Sequence, residues 1–555
     1  MKVWIGLILA ILWGGSLYAQ VENFSEILVP LRDGKGLATD LYLPEIAGKY
    51  PTILIITPYN RKMFRAINVA SLKSVKAGIL DRSKYVYVVA DWRGFFGSMA
   101  ASDGKGVFAS RLTGQDGYDT VEWIASQEWS NGKVGMWGAS ALGKVQFMTA
   151  VEKPPHLTCI APSVMDFGGG YSKYYHGGVF KRGRAESQEK AGWKGTVKMV
   201  TTQPMKTIFW QAIERNSWKK LGEIQVPVLL IGGWYDLEAE GVIETFKRLR
   251  NEGSPIAQQE TRLIIGPWDH NGASQGKKDT GDLSFPEAEN FSTKEGSRFF
   301  DYWLCDQKDN GWNQAPAIQW FQMGENVWKQ TNSLKSVATS KKIYYLGDSQ
   351  KLQSAPPQTE GKTAFVFDPQ NPSPTVGGMN LVLPGKLGSR GLSSGPRDQR
   401  QEVESRNDIL AWTSDVLTEP VSACGTIEVH LFVESDREDT DFVVRLCDVY
   451  PDGRSMLVTD GAHRMRFRNS LSKAEWMEPG TVYPVTIELS VTALTFQKGH
   501  QIRVLVSSSN TPRFDVNPNN GETFLSTNVL PLKATNTVYY SPTYSSQILF
   551  PIRTE

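Results

Sequence analysis

The stretch KVGMWGASALGKVQFM, Lys133–Met148, places a serine where an apolar, strand-like run changes into a helical pattern. Val134–Trp137 is apolar, and Gly138, Ala139 and Ser140 follow before the helical spacing begins. Such a turn can lift a serine oxygen clear of the backbone and present it to a substrate. Serine is also a common first residue of helices, so this stretch alone leaves a chemical and a purely structural interpretation open.

Short apolar runs alternate with helical patterns on both sides of this stretch. Runs without polar alternation are typical of strands buried on both faces, in a parallel sheet covered by helices. The sequence therefore predicts a doubly wound α/β domain. Ligands bind beyond the carboxyl ends of the strands in such sheets. The polar residues that end the runs, and are expected at that edge, are Tyr59, Asp91, Ser140, Asp236 and His270.

The pattern changes twice along the chain. Residues 164–222 read as helices inserted into the α/β domain, where they are expected to form a cap over the strand ends. The last part shows alternating strands separated by Asp-Gly, Lys-Gly and Asn/Pro turns, which predicts an all-β jelly-roll sandwich. The predicted boundaries are 20–163 and 223–310 for the α/β domain, 164–222 for the cap and 311–555 for the sandwich.

The bulk composition and the N-terminus exclude several classes of partner. The 555 residues carry a formal net charge of +2 and no long basic run, which disfavours nucleic acid as a partner. Lys2, the apolar run Val3–Trp13 and small residues up to Ala19 are typical of a signal peptide cut between Ala19 and Gln20. A membrane span needs about 20 apolar residues, more than this run offers. We therefore expect export to the periplasm or beyond, with no membrane contact after signal removal.

The four cysteines, Cys159, Cys305, Cys424 and Cys447, are too few for a disulfide framework in so long a chain. They lack the paired spacing of a metal site, and we expect neither a metal nor a cofactor. We interpret them as small apolar residues of the core. One optional disulfide stays open.

Three of the run-end residues match the requirements of nucleophilic catalysis. Serine needs a base to take its proton, and the base needs an acid to fix its tautomer. Ser140, Asp236 and His270 follow one another in the order Ser, Asp, His and all end α/β runs. The chain has only six histidines, and among them His270 alone terminates such a run. Asp91 precedes the serine, so we predict a structural role for it, in a turn.

A serine nucleophile also needs hydrogen-bond donors aimed at the developing oxyanion. The backbone N–H of Ala141, directly after the serine, is one candidate donor. The phenol of Tyr59, in the loop after an earlier run, is the second. From the residues alone, Tyr59 fits equally well as a packed aromatic beside Pro58.

Several motifs resemble, in order, the cocaine esterase / X-Pro dipeptidyl peptidase (S15-type, CocE/NonD) acyl hydrolases. The motifs are TPYNRK, DWRGFFGS, GGWYD and GPWDH in the first half, and FDPQNPSPTVGG, RNDILAWTSDVL and RFDVNPNNGE in the second. The resemblance implies an α/β-hydrolase domain, an inserted helical cap and a C-terminal jelly roll. It also implies that Ser140, Asp236 and His270 form the triad, and that Tyr59 and the Ala141 amide form the oxyanion hole.

Two departures from this family bear on the substrate. Ala141 stands where the family usually has tyrosine, so one pocket-shaping side chain is lost. The α-amino-acid ester hydrolases of the family hold a substrate ammonium with three carboxylates. Glu238 matches one of them, Ala239 replaces another, and Lys173 or Ser172 stands at the third. A neutral or anionic acyl group therefore fits better than an α-amino-acyl group. Glu238, Trp234 and Lys173 are the candidate substrate-binding residues.

The sequence thus predicts an exported serine hydrolase that cleaves an ester or amide bond of a small molecule through an acyl-enzyme. An exopeptidase of the X-Pro dipeptidyl peptidase type is the alternative within the class. From another class, an inactive carbohydrate-binding or scaffold protein is the alternative, because jelly rolls often bind sugars. A homo-oligomer stays open, and the natural acyl group is not specified by any motif.

Overall fold

The computed structural model describes residues 24–65, 81, 83–102, 112–190, 193–382, 392–525 and 528–553. The predicted signal peptide, residues 1–19, lies outside the described residues. Across these described ranges, no helix has the length and apolar character needed to cross a membrane.

Ten strands form the first sheet. They are β1 (Ser25–Pro30), β2 (Gly36–Tyr42), β3 (Tyr50–Thr57), β4 (Val86–Asp91), β5 (Ser130–Ala139), β6 (Leu157–Ser163), β7 (Leu229–Tyr235), β8 (Arg262–Asp269), β9 (Ile318–Gln322) and β10 (Val327–Thr331).

The order of these strands across the sheet is β1-β2-β4-β3-β5-β6-β7-β8-β9-β10. From β4 to β9 every neighbouring pair is parallel, whereas β1, β2 and β10 add antiparallel edges. All positions of β4 and β7 are buried, as expected for apolar strands covered on both faces. The predicted α/β class is confirmed, and each of the five predicted runs contains a strand of this sheet.

Eight α-helices accompany the sheet within the described residues: α1 (Leu112–Ala125), α2 (Ala141–Ala150), α3 (Arg182–Lys190), α4 (Thr196–Thr201), α5 (Ile208–Lys219), α6 (Ala239–Glu252), α7 (Pro255–Glu260) and α8 (Phe291–Leu304). Helices α3, α4 and α5 lie in the stretch predicted to be the cap. The cap has its own small aromatic core, in which Tyr171, Tyr175 and Trp210 pack against one another.

The C-terminal part is all-β, as predicted, with an eleven-stranded sheet and a two-stranded sheet. The strands of the larger sheet are Ser340–Leu346, Lys351–Gln353, Lys362–Phe367, Leu410–Ser414, Glu428–Ser435, Asp441–Val449, Ser455–Arg464, Tyr483–Glu488, Gln501–Ser507, Ala534–Tyr539 and Gln547–Ile552, and those of the smaller are Val421–Gly425 and Thr492–Phe496. The first sheet extends beyond the predicted boundary at residue 310, because β9 pairs with β8 and β10 pairs with β9. All four cysteines are free thiols.

The cap contacts the sandwich through an ion pair and through close backbone packing. Arg182 of α3 pairs with Asp515 at 2.7 Å between Nε and Oδ1. Gly177, with φ 52°, lies so close to the sandwich that a Cβ there would be 2.2 Å from the carbonyl oxygen of Ala462. The cap and the sandwich are therefore in direct contact at two places.

Candidate active site

Ser140 occupies a strained turn between β5 and α2. Its φ is 57° and its ψ is −121°, a region that residues with a side chain rarely adopt. Two glycines make the turn feasible. A Cβ at Gly138 would be 2.6 Å from the Cβ of Leu142, and one at Gly143 would be 2.9 Å from the Cβ of Met165. The Ser140 side chain makes no capping hydrogen bond to the helix. The structural interpretation, in which this serine serves to begin a helix, therefore loses its main support.

Tyr59 lies beside this serine. Its hydroxyl donates to Ser140 Oγ at 3.5 Å, and its own backbone N–H donates to Thr57 Oγ1 at 2.9 Å. Burial raises the pKa of the phenol, while the Ser140 hydroxyl and the Ala141 backbone, both near the tyrosine oxygen, lower it less. The phenol thus keeps its proton at neutral pH and acts as a donor. The Tyr59 hydroxyl lies near the Ala141 backbone amide, as expected for two donors of one oxyanion hole.

A buried ionic network holds the loop that carries Tyr59. The Arg61 backbone N–H and its Nη1 both donate to Asp91, each at 2.7 Å, and its Nε donates to Asp40 at 2.8 Å. Asp91 therefore has the structural role predicted for it, with Arg61 as its partner, whereas Arg93 pairs with Asp116. No sequence pattern predicts that Arg61 holds this loop, because the pairing joins the ends of two neighbouring strands.

Asp236 and His270 meet at the ends of β7 and β8. His270 Nδ1 donates to Asp236 Oδ1 at 3.0 Å, and the same oxygen accepts the backbone N–H of Glu238 at 3.0 Å. Burial raises the pKa of Asp236, and the nearby His270 opposes this rise. Burial by itself lowers the pKa of His270, but the charge and the hydrogen bond of Asp236 outweigh it, so the pKa is raised. With Nδ1 committed to the carboxylate, Nε2 of the neutral ring is free to accept a proton.

The structure thus brings the predicted residues together as two pairs, Tyr59 with Ser140 and Asp236 with His270, at one edge of the sheet. Among the described residues, no hydrogen bond joins Ser140 to the imidazole. Strand β6 separates β5 from β7 in the sheet and is not among the runs predicted from the sequence. Catalytic hydrogen bonds are often long before substrate binds, so this geometry is compatible with a triad.

A buried cluster of charges adjoins Asp236. Glu238 accepts from Arg184 Nη2 at 2.5 Å and lies 3.6 Å from Lys173 Nζ, which also pairs with Asp166. Burial alone would raise the pKa of Glu238, but Arg184 and Lys173 bring it down to about 2. Burial lowers the pKa of a third cation, Lys144, to about 8. Glu238 and Lys173 therefore lie together, as two of the predicted substrate-binding residues, whereas Asp166 and Arg184 were not identified from the sequence.

Trp234 has different surroundings. It is 4% exposed, and its indole Nε1–H donates to the backbone carbonyl of Phe321 on β9 at 2.8 Å. These contacts place the ring in the core of the sheet. Its role in substrate binding stays a prediction that no contact supports.

The chain matches two family models, one in each half. The family model described as X-Pro dipeptidyl-peptidase (S15 family) matches residues 33–204 and 184–272, and the model described as X-Pro dipeptidyl-peptidase C-terminal non-catalytic domain matches residues 310–549. A cocaine esterase from Rhodococcus sp. (strain MB1 Bresler) is 31% identical, over 95% of this chain and 98% of that protein.

Two solved structures share the whole architecture. An α-amino acid ester hydrolase superposes with a TM-score of 0.78 at 25% identity, covering 97% of this chain and 98% of that one. An aminopeptidase from a marine sediment archaeon, Thaumarchaeota archaeon, superposes with a TM-score of 0.79 at 22% identity, covering 98% of each chain. The latter likeness shows the fold alone.

Proposed function

Because the chain belongs to the X-Pro dipeptidyl-peptidase (S15) family and is a serine hydrolase, we propose that it cleaves an ester or amide through an acyl-enzyme on Ser140. The observation that carries this proposal is the strained Ser140 turn, whose hydroxyl caps no helix and faces the Tyr59 phenol at 3.5 Å. Asp236 and His270, joined at 3.0 Å on the same edge of the sheet, complete the proposed triad.

In the proposed reaction, the Ser140 hydroxyl turns from Tyr59 toward His270, whose Nε2 takes its proton as Oγ attacks the acyl carbonyl. The Tyr59–Ser140 contact is long for an O–H···O hydrogen bond, so little is lost in this rotation. The Tyr59 hydroxyl and the Ala141 N–H then stabilise the oxyanion. His270 returns its proton to the leaving group, and a water activated by the same imidazole releases the acid.

A burst experiment with p-nitrophenyl acetate tests this function. We expect about one equivalent of nitrophenolate per chain before steady turnover, because acylation precedes a slower deacylation. A panel of an Xaa-Pro anilide, a phenylglycine ester and a phenylacetyl ester then separates the exopeptidase from the esterase. A carbohydrate-binding or scaffold protein would show neither burst nor turnover on any member of the panel, and that result would refute the proposal.

Replacing Tyr59 by phenylalanine tests the oxyanion hole. We expect kcat to fall by roughly 10²–10³-fold with little change in KM, because the phenol donates to charge that exists only in the transition state. Steady-state kinetics on p-nitrophenyl acetate measure this split. Tyr50→Phe is the matched control, since Tyr50 begins the strand that Tyr59 follows and its hydroxyl donates to Ile46 at the surface. Equal losses in both variants would contradict the assignment.

The charged cluster supports a further part of the proposal, namely that the acyl group of the substrate is neutral or anionic. The carboxylates of Asp166 and Glu238 already have Lys173 and Arg184 as partners. A substrate ammonium would meet satisfied carboxylates and two resident cations, so it would gain little attraction.

Export, supported by the N-terminal pattern that ends at Ala19, would place the enzyme outside the cytoplasm.

Lys173→Met tests this substrate preference. We expect the ratio of kcat/KM for the phenylglycine ester to that for the phenylacetyl ester to rise about tenfold or more, because Asp166 and Glu238 lose a cation. Lys206→Met is the control, since Lys206 is a cap lysine whose partner is Glu214. An unchanged ratio in Lys173→Met would show that the cluster does not face the acyl group.

A further inference from the structure

A cleft of about 1250 Å³ lies between the cap, helix α6 and the sandwich. It follows one face of α6, because the lining residues Glu240, Glu244, Arg248 and Glu252 recur at intervals of four along that helix. A helix of 14 residues is about 20 Å long. Pockets for small molecules typically measure about 300–1,000 Å³ and are frequent between domains, so the cleft has room for such a ligand.

The cleft is separate from the proposed catalytic residues. Among the described residues that line it, none is Ser140, Asp236 or His270. Two members of the charged cluster beside Asp236, namely Asp166 and Lys173, do line it. The cleft is therefore a second concave site, adjacent to the proposed active site.

Most charged groups on the wall of the cleft are neutralised by one another. The pairs are Asp166 with Lys173, Glu214 with Lys206, and Arg248 with both Glu244 and Glu252. Lys181 and Glu240 differ, since within the described residues neither has an oppositely charged group within 4.0 Å. A ligand in the cleft therefore meets one unpaired ammonium and one unpaired carboxylate at these two residues.

Lys181 and Glu240 are close enough to act on each other. Burial lowers the pKa of Lys181 to about 8, and the charge of Glu240 opposes this effect. Burial raises the pKa of Glu240, but Lys181 and other groups outweigh it, so the pKa is lowered. Both groups are therefore charged at neutral pH. The other unpaired charges of the wall, which are not among the main charges acting on these two, are Arg215, Lys219, Arg468 and Glu488.

Two guanidinium groups near Lys181 already have partners. Arg184 pairs with Glu238 at 2.5 Å, and Arg513 pairs with Asp460 at 2.9 Å. Both guanidinium groups act on Lys181 by charge, but each is balanced by its own carboxylate. This part of the cleft is thus left with one positive and one negative charge, those of Lys181 and Glu240.

Both charged groups are accessible from the cleft. Lys181 is half-buried, and its Nζ donates at 2.9 Å to the backbone carbonyl of Ser172, which also lines the cleft. Glu240 is exposed and lies in the first turn of α6. His176, which acts on Glu240, adds no charge at neutral pH because burial lowers its pKa to about 4.

The two opposite charges define the chemistry of the ligand. A plain anion would be attracted by Lys181 and repelled by Glu240, and a plain cation would meet the reverse. A neutral molecule would leave both groups without a charged partner. A zwitterion gives each of them a charge-assisted hydrogen bond.

We propose that the cleft binds a zwitterion of the size of a free α-amino acid, with Lys181 holding its carboxylate and Glu240 its ammonium. This site goes beyond the proposed function, since it lies outside the acyl-binding region and takes no part in the reaction at Ser140. It also differs from the cluster of Asp166 and Glu238, whose carboxylates already have resident cations.

Calorimetric titration of the full chain near neutral pH tests the site with three probes of one carbon skeleton. The probes are L-leucine, isocaproate, which lacks the ammonium, and isoamylamine, which lacks the carboxylate. We expect leucine to bind, and each of the other two to bind about tenfold or more weakly, because each leaves one charged group without a partner. Either single-charge probe binding as tightly as leucine, or no binding of leucine, overturns the proposal.

Lys181→Gln and Glu240→Gln locate the ligand. We expect each to weaken leucine binding about tenfold or more, and Glu240→Gln to bind isocaproate more tightly than the parent, because the repelling carboxylate is gone. Glu244→Gln is the matched control, since Glu244 lies one turn further along α6 and is paired with Arg248 at 2.8 Å. An equal loss in the control, or competitive inhibition of p-nitrophenyl acetate hydrolysis by leucine, overturns the proposal. If a glutamine variant does not fold, the three probes still decide on the parent chain.

Discussion

Replacing Ser140 by alanine is expected to abolish the nitrophenolate burst and to lower kcat by roughly 10⁵–10⁶-fold, a loss of the size that removal of a serine nucleophile causes in serine proteases. The reason is that no other group at the end of β5 can form the acyl-enzyme. The Gly138 and Gly143 contacts that shape the turn do not involve the serine oxygen, so the variant should fold like the parent. Stopped-flow absorbance for the burst and initial rates for turnover measure the effect.

Ser130→Ala is the matched control for this substitution. Ser130 begins the strand that Ser140 follows, and its Oγ accepts only a local backbone N–H, that of Gly132 at 3.1 Å. The control should therefore retain the burst and the parent kcat. Substantial turnover in Ser140→Ala, at a rate near that of Ser130→Ala, would show that the nucleophile lies elsewhere and would refute the proposed function.

The positions of the site residues could be predicted because these residues lie at the ends of predicted strands. Tyr59, Ser140, Asp236 and His270 each follow a largely apolar run, and the carboxyl ends of parallel strands meet at one edge of a sheet. Their convergence is therefore a consequence of the pattern of the chain. The same argument identified the α/β class and, from alternation and turn residues, the all-β sandwich.

The contacts that tune the site could not be predicted, because they join distant segments. Arg184 is 54 residues from its partner Glu238, and nothing in the KRGRAES segment distinguishes it from the solvent-exposed arginines of a cap helix. Asp166 likewise lies in a loop where an acidic residue is common. Strand β6 could not be predicted from its sequence, LTCIAPS, because polar residues and a proline interrupt its apolar run. Side-chain pairs such as Arg184 with Glu238 depend on how the cap packs against the α/β domain.

The first sheet includes two strands, β9 and β10, beyond the domain boundary predicted at residue 310. The residues of β9, IQWFQ, carry two glutamines, and the predicted boundary at residue 310 left them to the sandwich. One of these, Gln322, is buried and donates to the carbonyl of Ala423 and to Thr495 in the sandwich. A polar residue buried at a domain contact looks in the sequence like a solvent-exposed position. The pairing of β9 with β8 carries the sheet past residue 310, and periodicity does not report which strands pair.

Replacing Asp236 by asparagine is expected to lower kcat by about 10⁴-fold at neutral pH, the size of effect known for the corresponding change in a Ser-His-Asp triad. The amide no longer accepts the Nδ1–H of His270 as a charged partner, so the ring loses the tautomer that leaves Nε2 free. The loss of the negative charge also removes the cause that raises the pKa of His270. The acid limb of the remaining activity should therefore move to lower pH.

Asp448→Asn provides a stringent control, because the sandwich contains a second buried Asp–His pair. His500 Nδ1 lies 2.8 Å from Asp448 Oδ1, a geometry like that of the proposed triad, and Asp448 is 3% exposed. Both pairs set a carboxylate against an imidazole, so loss of activity in Asp236→Asn alone would show that the effect is specific to the proposed triad. We expect Asp448→Asn to keep the parent kcat and pH profile, whatever its effect on thermal stability, because this pair lies in the sandwich and not at the strand ends that carry Tyr59 and Ser140. A pH profile of Asp236→Asn that coincides with that of the parent would remove Asp236 from the mechanism.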